Sequence, residues 1–292
     1  MLSTTLLATT APVIVAPAMN TNMYLNPITQ ENIEKLRGVG YRFIEPGSGS
    51  LACGTSGPGR LPEPVDIVRA VEELLTKNLD LSGKKILVTA GGTREPIDPV
   101  RYIGNRSSGK MGYAMAEVAA SRGAAVILVT GPVHLPPPPG VKTIVVESAR
   151  QMRDAVMAEF DACDIVIKAA AVADYRVSNQ AAHKIKKTDE NLTLILERNP
   201  DILAELGRIK KNQLLVGFAA ETEDLLRHAA EKLLRKNADM IVANDVSLPG
   251  AGFNCDTNVV KLLYKDGRVE ELPKMSKKEL AGLILDRIIV LT

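Results

Sequence analysis

The sequence has no tryptophan, and aromatic residues make up only 3% of it. Nucleic-acid binders pair a basic face with stacking aromatics; here lysine and arginine are spread along the chain and the net charge is +2, which argues against bulk binding to nucleic acid. The three cysteines, Cys53, Cys163 and Cys255, have no metal-ligand spacing and are odd in number. They imply neither a disulfide framework nor a structural zinc, and they suit a reducing, cytoplasmic compartment. No basic residue precedes Lys35, so the apolar start, despite Ala16-Pro17-Ala18, lacks the charged leader of a signal peptide. No stretch approaches the roughly 18 unbroken apolar residues of a membrane helix. Two nucleotide fingerprints are also missing. There is no G-x-G-x-x-G. Gly104 to Lys110 does satisfy G-x-x-x-x-G-K, but Met111 stands where a Walker motif needs Ser or Thr, and the segment begins well beyond its strand.

With 46% hydrophobic and 24% charged residues in 292, the chain has an ordinary globular composition and can bury a full core. Residues 12–16 read as a short buried strand. Pro27 to Arg37 read as a helix, with Asn26 as N-cap and Pro27 at the first helical position. Residues 46–64, dense in Gly and Pro, read as a long irregular loop, a composition that suits a lid or binding loop. A helix at 65–77 and a linker from Asn78 to Gly83 follow. From Lys84 strands and helices alternate: KKILVTA, a helix after Gly109, AAVILVT, KTIVVE, a helix at 149–160, DIVIKAA, LTLIL, a helix from Pro200, QLLVGFA, a helix at 223–237, DMIVAN, a hairpin turned at Asp266-Gly267, and a last helix at 276–288. Continuous apolar strands alternating with amphipathic helices indicate an α/β fold, Rossmann-like, with a mostly parallel, doubly wound sheet covered on both faces. Sites in such sheets lie beyond the carboxyl ends of the strands.

The unusual residues fall at those ends. Gly104-Asn105-Arg106-Ser107-Ser108-Gly109-Lys110 leads into a helix, so backbone N–H groups and two serine hydroxyls can face a phosphate-bearing ligand; the bland alternative is a turn that only caps the helix. Lys168 to Tyr175 has small residues that admit a ligand to the backbone, followed by the carboxylate of Asp174, able to hold a cation or a ribose. His183-Lys184-Ile185-Lys186-Lys187 reads mostly as a solvated face, from which one lysine could clamp a transferring phosphoryl group. Lys232 and Lys236, at i and i+4, share a helix face and suit a polyphosphate or simply solvent.

The segments AGGTREPIDPVRYIGNRSSGKMG, KAAAVADYR, HKIKK, RNPDIL, VGFAAET, EKLLRK and ADMIVANDVS occur in that order. This series resembles the bacterial phosphopantothenate–cysteine ligases, the second half of the bifunctional coenzyme A biosynthesis proteins, over about residues 81–292. Upstream, VAPAMNTNMY and LACG resemble the later part of the flavin-dependent phosphopantothenoylcysteine decarboxylase that precedes the ligase there. The resemblance implies a ligase domain at 79–292, preceded at 1–78 by part of a flavoprotein-like α/β domain.

For the ligase it implies that the carboxylate of 4′-phosphopantothenate attacks the α-phosphate of CTP, giving an acyl-cytidylate and pyrophosphate, and that the amine of cysteine then displaces CMP. Carried over by motif, the nucleotide would be bound by Lys168, Ala169, Ala170, Asp174, Lys184, Pro200, Asp201, Ile202, Leu203, Phe218, Lys232 and Lys236. Asp174 would hold Mg2+, Ser107 would donate to a phosphate, Asn105 would hold the phosphopantothenate or its acyl-cytidylate, and Lys184 would serve the activation step. The ligases of this family dimerise, which makes a homodimer the expected assembly and the stretch near LTLIL a candidate edge. For the decarboxylase part, the resemblance implies FMN as cofactor, Asn20 on the substrate carboxylate and Cys53, on a lid, protonating the product. The chain begins just before this strand, so the family's flavin-binding first strands and active-site histidine have no counterpart. His134, His183 and His228 all lie in the ligase part, and Thr55 and Pro58 replace acidic residues of the lid. The expectation is a ligase in whose chain, as written, decarboxylation is lost unless a separate upstream fragment completes it; the alternative is FMN-dependent decarboxylation retained as part of a bifunctional protein.

Overall fold

Six apolar runs become the parallel strands β1 (Lys85–Ala90), β2 (Ala125–Thr130), β3 (Lys142–Val145), β4 (Ile165–Lys168), β5 (Leu214–Glu221) and β6 (Met240–Asp245). The structure is a computed structural model that describes residues 2–50, 54, 56–75, 79–187, 191–221, 224–245, 252 and 255–291. The strands lie side by side in the order β3-β2-β1-β4-β5-β6, and the antiparallel strands β7 (Thr257–Tyr264) and β8 (Val269–Ser276), joined by the expected Asp-Gly turn, extend the sheet past β6. This is the doubly wound order, with its switch point between β1 and β4.

Successive side chains of a strand point to opposite faces, so every strand feeds two cores. Ile86, Val88, Val126, Leu128, Ile165 and Ile167 point to the face covered by α1 (Lys110–Ser121) and α5 (Lys277–Val290). Leu87, Ile127, Val166 and Leu215 point to the other face, under α2 (Ala149–Phe160) and α3 (Ile202–Ile209). There α4 (Leu225–Arg235) continues the layer over Ile241 and Ala243. Capping boxes fix the starts of α2 (Ser148 with Gln151) and α5 (Ser276 with Glu279).

The chain divides into two units, Met1–Lys77 and Asn78–Thr292, the sheet lying in the second. The first unit has helices at Leu2–Ala8, Thr21–Tyr24, Pro27–Gly38 and Pro64–Leu75, and a parallel pair of Ile14–Val15 with Arg42–Phe43. Asn26 caps the helix from Pro27 by accepting from the Ile28 N–H at 3.0 Å, as its sequence position requires.

Three sequence expectations are corrected. The span 46–64 is not wholly irregular: Gly47–Ser50 pairs antiparallel with Ser56–Arg60. Gly59 in the second strand lies close against the backbone of Met19, where a Cβ would stand 2.2 Å from the carbonyl oxygen. The segment 78–83 is no linker where it is described, since Leu81 is 1% exposed and Asp80 forms an ion pair with Arg122. LTLIL is not a sheet strand. Only Leu196–Arg198 pairs, antiparallel to Tyr175–Val177, and its apolar neighbours Leu192 and Ile195 are exposed. A second small hairpin, Arg94–Pro96 with Tyr102–Gly104, lies between β1 and α1 and carries no alternating apolar pattern to announce it.

Candidate functional site

The switch point between β1 and β4 is closed just beyond the strands by backbone pairing. Ala171 N–H donates to Gly91 O at 2.8 Å, and Thr93 N–H donates to Ala171 O at 3.3 Å. Two buried threonine hydroxyls then accept from the small-residue run: Thr89 Oγ1 from the Ala170 N–H at 3.2 Å and Thr93 Oγ1 from the Ala173 N–H at 2.9 Å. Backbone N–H groups in this setting need a partner, so these threonines fix the path of the 169–174 loop. Open space is thereby displaced one strand over, to the ends of β4 and β5.

A cavity of about 800 Å3 lies there, under the start of α3 and along α4. Lys168, at the end of β4, forms its floor, while Pro200 to Leu203 and Phe218 contribute walls. Five cationic side chains, Lys168, Lys232, Lys236, Arg198 and Arg235, face three carboxylates, Asp174, Asp201 and Glu231. Such a site favours an anion.

The cations are held differently. Lys232 Nζ donates to Phe218 O at 2.7 Å. Lys236 forms an ion pair with Asp201, whose other oxygen accepts from the Ala204 N–H at 3.0 Å as the N-cap of α3. Burial alone would raise the Asp201 carboxyl; the bonds from Lys236 and Ala204 outweigh it and hold the carboxyl below its ordinary value. Lys168 Nζ is buried without a hydrogen-bond partner. Burial brings its pKa from 10.5 down to about 7, with Asp201 opposing the shift and the charge of Lys232 adding to it. An unpaired buried amine is costly to hold, and a site that must receive a negatively charged or hydrogen-bond-accepting group gives it a use.

Of the residues expected from the sequence, Lys168, Ala170, Asp174, Pro200, Asp201, Ile202, Leu203, Phe218, Lys232 and Lys236 line this one cavity. Ala169 is not among its lining residues. Asn105 reaches it at second hand: its Nδ2 donates at 3.0 Å to the carbonyl of Val172, which lines the cavity. Ser107 stays in the turn before α1, its Oγ accepting from the Gly109 N–H at 3.3 Å. Lys184 is exposed on the 181–187 segment and is not among the lining residues. In the smaller unit, Asn20 Oδ1 accepts from the Asn22 N–H at 2.8 Å, capping the Thr21–Tyr24 helix. Cys53 and Thr55 lie outside the described residues.

Sequence reasoning missed Asn199. Its Nδ2 donates to Ala173 O at 2.9 Å and its N–H to Asp174 O at 2.8 Å, tying the loop after β4 to the start of α3. The signal was present in R-N-P-D, where an Asn and a Pro stand just before Asp201, the N-cap of α3, rather than inside a helix from Pro200. His228, Glu231 and Arg235 were missed as well, because only their position on the same stripe of α4 as Lys232 marks them. For metal binding, no group of three His, Cys, Asp or Glu side chains occurs among the described residues. Asp174 is an exposed single carboxylate at the cavity wall.

A family model described as "DNA/pantothenate metabolism flavoprotein C-terminal domain" matches residues 81–291, and one described as "Flavoprotein" matches residues 1–76. The Coenzyme A biosynthesis bifunctional protein CoaBC of Bacillus subtilis (strain 168) is 53% identical over 295 residues, covering 100% of this chain and 73% of that protein. Among solved structures, the C-terminal domain of a Coenzyme A biosynthesis bifunctional protein CoaBC superimposes with a TM-score of 0.63 at 50% identity, covering 73% of this chain and 97% of the other. The DNA/pantothenate metabolism flavoprotein from Streptococcus pneumoniae gives a TM-score of 0.63 at 28% identity, covering 72% and 100%.

Proposed function

Because the chain belongs to the family of the coenzyme A biosynthesis bifunctional proteins CoaBC, with a ligase-type domain and a flavoprotein domain, we propose that its larger unit joins 4′-phosphopantothenate to L-cysteine at the expense of CTP. The observation that carries this reading is the buried, unpartnered amine of Lys168 on the floor of a cavity that also gathers Lys232 and Lys236. A carboxylate is a poor electrophile. Attack of the phosphopantothenate carboxylate on the α-phosphate of CTP turns it into an acyl-cytidylate and releases pyrophosphate. The amine of cysteine then attacks the acyl carbon, CMP leaves, and the amide of 4′-phosphopantothenoylcysteine remains.

Charge accumulates on phosphate oxygens in the first step, and fixed cations and N–H donors stabilise it without reorganising. In this reading Lys168, Lys232 and Lys236 hold the triphosphate, the N-terminus of α3 and the wall from Pro200 to Leu203 frame the nucleotide, and Ala170 and Phe218 offer backbone groups to the base. Asn105 orients the acyl group, Ser107 donates to a phosphate, and Lys184 serves the activation step from the 181–187 segment. Mg2+ commonly takes one or two protein carboxylates and completes its shell with phosphate and water, so the lone Asp174 suffices as the protein's share. Bound there, the ion would neutralise phosphate charge. A homodimer formed through the exposed Ile195 and Leu196 belongs to the same reading, as does a cytoplasmic location; no described helix is long and apolar enough to cross a membrane.

The match of residues 1–76 to a flavoprotein family favours, as a second reading, FMN-dependent decarboxylation of the ligation product. Of the two groups carried over for it, only Asn20 is described, and its Oδ1 is engaged in a helix cap. Neither group was carried over for the flavin itself, and no flavin step is assigned to residues of this chain. Flavin absorbance in the purified protein, with carbon dioxide release from phosphopantothenoylcysteine, would establish the second reading. The ligase reading is tested by incubating the protein with phosphopantothenate, cysteine and either CTP or ATP. Formation of CMP far faster than AMP is expected; no ligated product with either nucleotide would overturn it.

A further inference from the structure

Asp98 sits in the tip of the small hairpin after β1, 2% exposed. Its two oxygens have different tasks. Oδ1 accepts from the N–H groups of Val100 and Arg101, each at 2.8 Å, and so builds the turn it belongs to. Oδ2 accepts from the Ile185 N–H at 3.1 Å, a residue far along the chain, and forms an ion pair with the guanidinium of Arg101 at 3.0 Å. Arg101 in turn donates to the carbonyl of Ile185, and the Ala181 N–H donates to Ile97 O at 3.0 Å. The 181–187 segment is therefore tied down at both of its hydrogen-bonding groups next to Lys184, while Lys184 itself is exposed. Burial would raise the Asp98 carboxyl, but the three backbone N–H groups and Arg101 outweigh it and hold the carboxyl in its anionic, accepting form.

We propose that Asp98 is a positioning residue for Lys184, its Oδ2 anchoring the 181–187 strap so that the lysine stands at a fixed place in the ligation reaction. This rests on the ligase reading for the role of Lys184; the anchor itself rests only on the contacts of Asp98 and Arg101. The hairpin supplies a rigid base, since its strands pair at Arg94 with Gly104 and Pro96 with Tyr102. A lysine on a strap held at the adjacent residue loses little freedom when it engages a phosphate, and this is how positioning acts on rate.

The division of labour between the two oxygens provides the test. Asp98→Asn leaves one acceptor oxygen for Val100 and Arg101 but turns an NH2 toward the Ile185 N–H and the Arg101 guanidinium, donors facing donors. The variant is expected to stay folded at the assay temperature with a lowered melting temperature, because a donor now faces donors at a buried position. Trypsin should cleave it after Lys184, Lys186 or Lys187 on the order of tenfold faster than wild type, as local opening of the strap becomes easier. Pyrophosphate release from CTP and phosphopantothenate should show kcat reduced about tenfold, with KM for CTP unchanged, the signature of an interaction made in the transition state. Because Asp98 acts through Lys184, Asp98→Asn should add no further loss in a Lys184→Gln background. Wild-type cleavage and wild-type rate in Asp98→Asn would overturn the proposal, and so would a full additional loss on top of Lys184→Gln. Should Asp98→Asn fold poorly, Arg101→Met, which removes the bond to the Ile185 carbonyl and leaves both the Oδ1 turn and the bond from the Ile185 N–H to Oδ2 intact, should shift strap cleavage and rate in the same direction by a smaller factor; no shift in either would overturn the proposal. If the wild-type protein releases no pyrophosphate, the ligase reading fails, yet strap cleavage still decides the anchor: faster in the variant supports it, unchanged overturns it.

Discussion

Lys236, at the C-cap of α4, and Asp201, at the N-cap of α3, form an ion pair that joins the ends of two helices at the candidate nucleotide cavity. Asp201 thus caps a helix, neutralises one clamp lysine and leaves Lys168, in the same cavity, without a counter-charge of its own. Asp201→Ala should cost about 1 kcal/mol of stability through the lost cap, with Asp201→Asn, which keeps the cap, costing less. The Asp201 carboxyl is held below its ordinary value in the folded state, so its contribution is present above the unfolded carboxyl pKa and is lost as pH falls through the folded one. Asp201 is about half exposed, so screening keeps the ion-pair share small. Thermal melts of the three proteins at neutral and acidic pH check this: the gap between wild type and Asp201→Ala should narrow on acidification.

The joint that carries Lys236 depends on a glycine. A Cβ on Gly207 of α3 would lie 1.9 Å from the carbonyl oxygen of Lys236, while Asn237 Nδ2 donates to Gly207 O at 2.8 Å. Gly207→Ala should force α3 and the end of α4 apart and destabilise the fold by roughly 1–3 kcal/mol, the range for overpacking. Nucleotide affinity should fall with it. Chemical denaturation gives the first quantity and calorimetric titration with CTP the second.

Lys168→Met should separate stability from binding. In the wild type the Lys168 pKa drops from 10.5 to about 7 on folding. Between those values the unfolded chain binds the extra proton, so this residue makes stability rise with pH from about 7 toward 10.5; below about 7 the penalty of a buried ammonium is fully present. Removing the amine should abolish that rise and leave the protein at least as stable at pH 7, while CTP affinity drops on the order of tenfold or more. Melting temperatures across pH 6 to 10 and titration with CTP measure both.

For Asn105 the decisive bond is the one from Nδ2 to Val172 O at 3.0 Å. Asn105→Asp replaces the donor with an oxygen and sets it against a carbonyl and, in the ligase reading, against the acyl phosphate. Ligation should slow by about a hundredfold while CTP affinity changes little, since removing one aligned polar contact at a charged transition state commonly has that size. Steady-state rates with a separate CTP titration distinguish the two effects.

Much of the fold was legible because strands buried on both faces are written as unbroken apolar runs, of which KILVTA and AVILVT are the plainest. Caps were equally readable: Asn26 before Pro27 names its own helix start. Pairings made by backbone alone left no trace in the side-chain pattern. The Gly-Ser strand at 47–50 and the hairpin at 94–104 are of that kind. LTLIL misled because Leu192, Ile195 and Leu196 are exposed, so that hydrophobicity there does not report a core. At the candidate site, lysines and small residues could be singled out by type, but not by situation. Only the folded chain distinguishes Lys168, buried and unpartnered, from Lys184 on an exposed strap, and only it shows Asp98 joining a hairpin tip to that strap.

The most direct test of the ligase reading omits cysteine. Mixed with CTP, phosphopantothenate and Mg2+ alone, the protein should release a burst of pyrophosphate and accumulate a mass equal to phosphopantothenate joined to CMP, which added cysteine then discharges as CMP and phosphopantothenoylcysteine. Pyrophosphate release that does not require phosphopantothenate, or ligation with no such adduct at any time, would contradict it.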